Sequence, residues 1–109
     1  MTLNEYQDEA RKTAVFKTDQ DQFICCILGL NGEAGEVAEK VKKVIRDYEG
    51  KFSDQAKVEI ANELGDILWY IAMAADMLGF TLEQIAKRNN RKLSDRKNRG
   101  KINGKGDKR

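Results

Sequence analysis

The chain has 109 residues, with 20 Lys and Arg against 18 Asp and Glu, two Cys, no Pro and no His. This length makes a single domain, residues 1–109, that can form a core and still gain from association; the lack of His excludes imidazole chemistry, and the adjacent Cys25 and Cys26 have the spacing of neither a metal knuckle nor a disulfide framework. No apolar run approaches the ~20 residues of a membrane span and the first residues lack a leader's charged-then-apolar pattern, so a soluble, cytoplasmic protein with no membrane partner is expected.

The net charge of +2 is unevenly spread. Residues 88–109 carry ten Lys and Arg against Asp95 and Asp107, which leaves residues 1–87 at −6. An acidic body with a basic end can bind nucleic acid through that end, or fold the end over an anion held by the body.

Long periodic stretches without Pro favour an all-α protein. A first helix is expected over residues 4–16, with Leu3, Tyr6, Ala10, Thr13 and Ala14 on one side. Thr18, Asp19 and Asp21 are candidate N-caps for a long second helix reaching about residue 47, and residues 48–53 read as a connection. Ser53 or Asp54 can cap a third helix over residues 54–78, closed by Gly79, which suits the left-handed turn common past a helix end. Thr81 with Gln84 forms a capping box for a fourth, running to residue 91 or beyond. The basic tail at about 97–109, rich in Gly, Asn and Lys, has too little apolar content to pack alone.

At 100° per residue the second helix gathers Phe23, Cys26, Ile27, Leu30, Ala34, Val37, Val41, Val44 and Ile45 into one apolar stripe. Glu33, Glu36, Lys40, Lys43 and Asp47 run along its border. On the third helix Ile60, Leu64, Ile67, Leu68, Ile71, Ala75 and Leu78 form the stripe, and Glu63 and Asp66 border it. Beyond residue 68 that helix is apolar nearly all round, with Trp69, Tyr70, Met73 and Met77, so a second face needs burial by a subunit or a ligand. Gly29, Gly32 and Gly35 lie inside the second helix, where each costs about 0.5–1 kcal/mol relative to Ala; they make sense if a neighbour must approach the acidic border closely.

One carboxylate pair three residues apart is common on a solvated helix face, and its Lys neighbours are then ordinary surface ion pairs. Two such pairs on successive helices, each beside an apolar stripe, are less ordinary. Glu33, Glu36, Glu63 and Asp66, without imidazole or thiolate, suit a hard cation, Mg²⁺ first and Mn²⁺ second. A site hydrolysing phosphates is the natural expectation.

Residues 29–37, Gly-Leu-Asn-Gly-Glu-Ala-Gly-Glu-Val, followed by 63–70, Glu-Leu-Gly-Asp-Ile-Leu-Trp-Tyr, resemble the MazG-like, all-α nucleotide pyrophosphohydrolases. The likeness covers most of the chain. The family's ExxE and ExxD reappear as Glu33/Glu36 and Glu63/Asp66, Asn89, Lys92 and Arg96 match its Asn-x-x-Lys-Leu-x-x-Arg element, and the ending is similar to that of its short, single-domain members.

The resemblance implies Mg²⁺-dependent cleavage of a ribo- or deoxyribonucleoside triphosphate between the α and β phosphates, giving the monophosphate and pyrophosphate, as in house-cleaning or control of nucleotide pools. The four carboxylates hold the metal. Asn89, Lys92 and Arg96, on one helical face, grip phosphate oxygens, with Lys40 and Lys43 as second candidates. Trp69 or Tyr70 can stack on the base or pack in an interface. Homodimers or dimers of dimers, whose helices complete a four-helix-bundle-like fold, are also implied, and they suit the apolar face of residues 69–77.

In one respect the chain departs from the family, which often has a further Glu directly before the first ExxE, where this chain has Gly32. Water activation is then left to a metal-bound hydroxide, which is preferred, to Glu33, or to Glu39 brought round by a helix distortion. The competing readings are a non-catalytic module that senses nucleotides and one that binds nucleic acid through the basic tail; nucleic acid is not the expected partner.

Overall fold

The computed structural model describes residues 1–109 and is all-helical: α1 (Leu3–Arg11), α2 (Asp19–Tyr48), α3 (Asp54–Met77) and α4 (Leu82–Asn98), with no strand. Each helix starts on a hydroxyl residue in extended backbone, Thr2, Thr18, Ser53 and Thr81, whose oxygen accepts the N–H three residues on at 3.0–3.1 Å. The Gln84 side chain accepts the Thr81 N–H in return, completing the capping box. Gly79, at φ +78°, closes α3, and the Phe80 N–H reaches back to the Ala75 carbonyl at 2.9 Å. No single helix is long and apolar enough to cross a membrane.

The first helix ends at Arg11 rather than at residue 16. Thr13 explains the early stop: its hydroxyl donates to the Ala10 carbonyl at 2.7 Å and its oxygen accepts the Trp69 indole N–H at 2.7 Å. Leaving the helix there brings the Phe16 ring to 6.3 Å from that of Trp69. The fourth helix runs beyond residue 91, to Asn98.

The two long helices form an antiparallel hairpin. Gln22 donates to the Met73 carbonyl near its open end, and Lys40 meets Glu63 nearer the turn. At the open end α1 lies across α3, and α4, turned 97° from α3, packs on α1 and α3 without touching α2. The core is there: Ala10, Cys26, Ala72, Met73, Ala74 and Leu82, joined by Tyr6, Phe16, Trp69 and Tyr70. The second apolar face of α3 therefore finds most of its burial within the chain, under α1 and α4. Residues 72–75 are buried within the chain itself. Along α2 only Cys26 and Val44 are buried, and Ile24, Ile27 and Leu28 stay exposed, as do Leu64 and Leu68 on α3.

This layout leaves much surface bare. The Cα radius of gyration is 16.8 Å, whereas a compact chain of this length has about 13 Å. The accessible surface is 8130 Å², whereas a monomer of this mass exposes roughly 6,100 Å².

Gln7 ties the open end together. It is 2 % exposed, its amide donates to Ala72 O at 3.1 Å, Asp76 Oδ1 at 3.0 Å and Phe80 O at 3.2 Å, and its oxygen accepts the Leu82 N–H at 2.9 Å. One side chain thus serves the Ala72 carbonyl inside α3, the Phe80 carbonyl just past it and the first N–H of α4. Arg11 adds a two-pronged contact to Asp76, at 2.7 and 2.8 Å.

Gln7→Met keeps the volume but leaves the Leu82 N–H and the Phe80 carbonyl without their partner, so it should destabilise the fold by about 2–4 kcal/mol. Urea unfolding measures the loss, and amide exchange should show α4 opening first. A change in stability within error would contradict the role given to Gln7.

Candidate metal centre

Midway along the hairpin, α2 contributes Glu33 and α3 contributes Glu63 and Asp66, each offering an oxygen within 4.8 Å of the others. The helices are pressed together next to this level by Gly29, where an added Cβ would overlap the Tyr70 ring. Gly32 and Gly35 have open space instead, so the close approach read from the glycines is met at Gly29 alone.

Glu33 and Glu63 are half-buried and Asp66 is exposed. A hydrogen bond with Glu63, then burial, then the charges of Asp66, Glu63 and Glu36 raise the Glu33 carboxyl above the usual range. Lys40 is the internal counter-ion, with Nζ 3.6 Å from Glu63 Oε1. The Tyr6 phenol is also raised, by burial and then by the charge of Asp66, so it stays protonated beside the cluster. Three hard oxygen donors held together against their own repulsion fit a divalent cation such as Mg²⁺ or Mn²⁺.

Glu36, exposed one turn along α2, stands outside the group of three, though its charge is felt by Glu33. Glu39 points elsewhere: its carboxylate meets Lys42 at 2.9 Å and is lowered by that contact, and α2 continues unbroken past it.

On one side of the acids lies an open cavity of about 390 Å³ lined by Thr13, Glu33, Asp66, Trp69 and Tyr70. The indole of Trp69 is fixed by its bond to Thr13 and meets the Tyr70 ring edge-on at 5.1 Å. On the other side, toward the turn, a cavity of about 480 Å³ is lined by Lys40, Lys43 and Lys51 with Asp47, Tyr48, Ser53 and Glu59 among its walls. Lysines from α2 and the connection, acids and aromatics thus follow in order along the hairpin, over the α3 stretch from Glu59 to Tyr70, about 16 Å at 1.5 Å per residue. Sequence reasoning placed Thr13 on the apolar side of α1 and Lys51 in a connection; a lone hydroxyl on an otherwise apolar face was the available signal for Thr13.

The α4 residues are not brought to the acids within one chain. Asn89 and Lys92 line a separate cavity of about 580 Å³. Arg96 is buried and donates to Asp107, to the main-chain oxygen at 2.6 Å and to Oδ1 at 3.1 Å. The tail is held by such polar bonds: Arg99 donates to the Arg109 carbonyl at 2.6 Å, and Arg109 to those of Ile102 and Gly106.

Comparison with known proteins shows the family. Residues 23–100 match the model of the MazG nucleotide pyrophosphohydrolase domain. The chain is 40% identical to the Gene 37 protein of Mycobacterium phage L5 over 114 aligned positions, covering all of both chains. It is 41% identical over 69 positions to the uncharacterized protein YvdC of Bacillus subtilis (strain 168), covering 59% of this chain and 65% of that one. No solved structure gives a significant match.

Millimolar Mg²⁺ should raise the melting temperature by about 2–5 °C, as expected for a ligand that binds only the folded state. Glu33→Gln and Asp66→Asn should each remove that rise while making the metal-free protein slightly more stable, because a repelling charge is gone. Glu36→Gln should remove less of it. A rise that survives in both of the first two variants would exclude the cluster as the metal site.

Proposed function

This chain belongs to the MazG nucleotide pyrophosphohydrolase family, and from that premise we propose that it is a metal-dependent hydrolase that cuts a nucleoside triphosphate between its α and β phosphates. The products are the monophosphate and pyrophosphate. The observation that carries the proposal is the position of Glu33, Glu63 and Asp66 between an aromatic cavity and a lysine-lined one.

Glu33, Glu63 and Asp66 hold the cation, and Glu36 completes the set by a change of rotamer, which its exposure permits. A bound Mg²⁺ or Mn²⁺ supplies charge neutralisation to the phosphate oxygens and lowers the pKa of water. The base lies against Trp69 and Tyr70, in the cavity that Thr13 helps to shape. The phosphates point the other way, where Lys40 and Lys43 offset the charge that builds on the departing pyrophosphate. Glu33 has two carboxylate oxygens and adjoins Gly32, so with one oxygen toward the cation we assign the other the proton of the attacking water, in place of the metal-bound hydroxide preferred from the sequence.

A homodimer or dimer of dimers is part of the same proposal. It is supported by the surplus surface and by the exposed apolar residues of α2 and α3, notably Ile24, Leu28, Leu64 and Leu68. Light scattering should give a mass of at least two chains at micromolar concentration; a monomer would contradict this part.

Purified protein with Mg²⁺ and each common ribo- and deoxyribonucleoside triphosphate should give monophosphate and pyrophosphate from at least one of them. Orthophosphate as the sole phosphate product would exclude the reaction. Asp66→Asn should lower kcat roughly 10²-fold or more with the helical circular dichroism unchanged. Lys40→Ala should weaken kcat/KM by a smaller factor, and full activity in both would sink the assignment.

A further inference from the structure

Trp69 is the one tryptophan of the chain, and three neighbours fix its ring. The indole N–H donates to the Thr13 hydroxyl at 2.7 Å, the Tyr70 ring meets it edge-on at 5.1 Å between centroids, and the Phe16 ring lies 6.3 Å away, tilted by 35°. Tyr70 is itself backed by α2, which comes so close at Gly29 that a Cβ there would overlap the ring. Of the three contacts only the one with Thr13 is directional.

Thr13 suits this task because of how its hydroxyl is already used. It gives its hydrogen to the Ala10 carbonyl at 2.7 Å, so toward the indole it can only accept, and an indole can only donate. The pair is therefore matched in one arrangement, which sets the otherwise soft torsion of the Trp69 ring. Thr13 is placed in turn by α1, which Gln7 fastens to Ala72 and Phe80 and Arg11 fastens to Asp76. With both hydrogens spent, neither Thr13 nor Trp69 has a side-chain donor left for the edge of a base. What they offer the cavity they line with Glu33, Asp66 and Tyr70 is an aromatic surface in a fixed orientation. Such a surface stacks on a flat ring without first losing rotamer freedom.

We propose that Thr13 is a positioning residue that sets nucleotide affinity through the Trp69 indole alone, locking it as a stacking surface, and does so to the same extent for every base. This rests on the reading of the aromatic cavity as the place of the base. The three carboxylates take no part in the Thr13–Trp69 bond, so Thr13 governs binding and not the chemical step.

The test is calorimetric titration of the full chain, in Mg²⁺, with the α,β-methylene analogues of ATP, GTP, CTP and UTP, which bind without being cut between the α and β phosphates. Wild type, Thr13→Val, Thr13→Ser, Trp69→Phe and the Thr13→Val/Trp69→Phe double variant are compared, and quenching of the lone tryptophan reports stacking in the first three. Thr13→Val keeps the shape but removes the hydroxyl; it should weaken all four analogues by about three- to tenfold, the span of one net hydrogen bond. Thr13→Ser should bind as wild type does, and Thr13→Val should cost nothing further once residue 69 is Phe. On any triphosphate that turns over, Thr13→Val should raise KM and leave kcat in place. Unchanged affinity in Thr13→Val, a loss confined to one base, a loss that Ser does not restore or that persists in the Trp69→Phe background, a fall in kcat, or no quenching by any analogue would overturn the proposal. Hydrolysis is scored separately: analogues that bind as described while no triphosphate is cut would sink the hydrolase reading and leave this one standing.

Discussion

Three carboxylates repel one another at one level of the α2/α3 hairpin, and the rest of the chain has to hold them there. Glu33, Glu63 and Asp66 offer oxygens within 4.8 Å of each other, and Lys40 offsets only part of their charge. The Glu33 carboxyl is raised first by a hydrogen bond with Glu63, then by burial, and then by the neighbouring charges. Attraction must come from elsewhere along the hairpin. It comes from the contact of Gly29 with the Tyr70 ring and from the core around Cys26 and Met73. Gln7 then locks α1, α3 and α4 into one base at the open end. Stability is concentrated at that base, which leaves the middle of the hairpin free to carry unfavourable charge.

The order of side chains along the hairpin gives the site a direction. Aromatic residues stand toward the core and lysines toward the turn, with the acids between them. A nucleotide is itself ordered in this way, with a flat base at one end and charge at the other. Surface left bare beyond the core belongs to the same account, because a hairpin that projects from its base exposes apolar residues that association would cover.

Local signals were the legible ones. Thr18, Ser53 and Thr81 as caps, Gly79 as a stop and the four helices themselves follow from hydrogen-bonding and φ preferences that act within a few residues. The end of α1 was not legible, since it is decided by Thr13 meeting Trp69 across the fold. The same holds for the apolar face of α3, whose partners lie in α1 and α4. The acidic phrases put their carboxylates on the right helices, but spacing alone does not say that Glu36 stands apart from the other three. The tail is ordered despite its composition, because Arg96, Arg99 and Arg109 fasten it through hydrogen bonds that an apolar count does not register.

The central claim is that water attacks the α phosphorus at the carboxylate cluster. Hydrolysis of a turned-over triphosphate in oxygen-18 water, followed by mass spectrometry of both products, tests it most directly. The label should enter the nucleoside monophosphate and leave the pyrophosphate unlabelled. Label found in the pyrophosphate, with none in the monophosphate, would contradict the account.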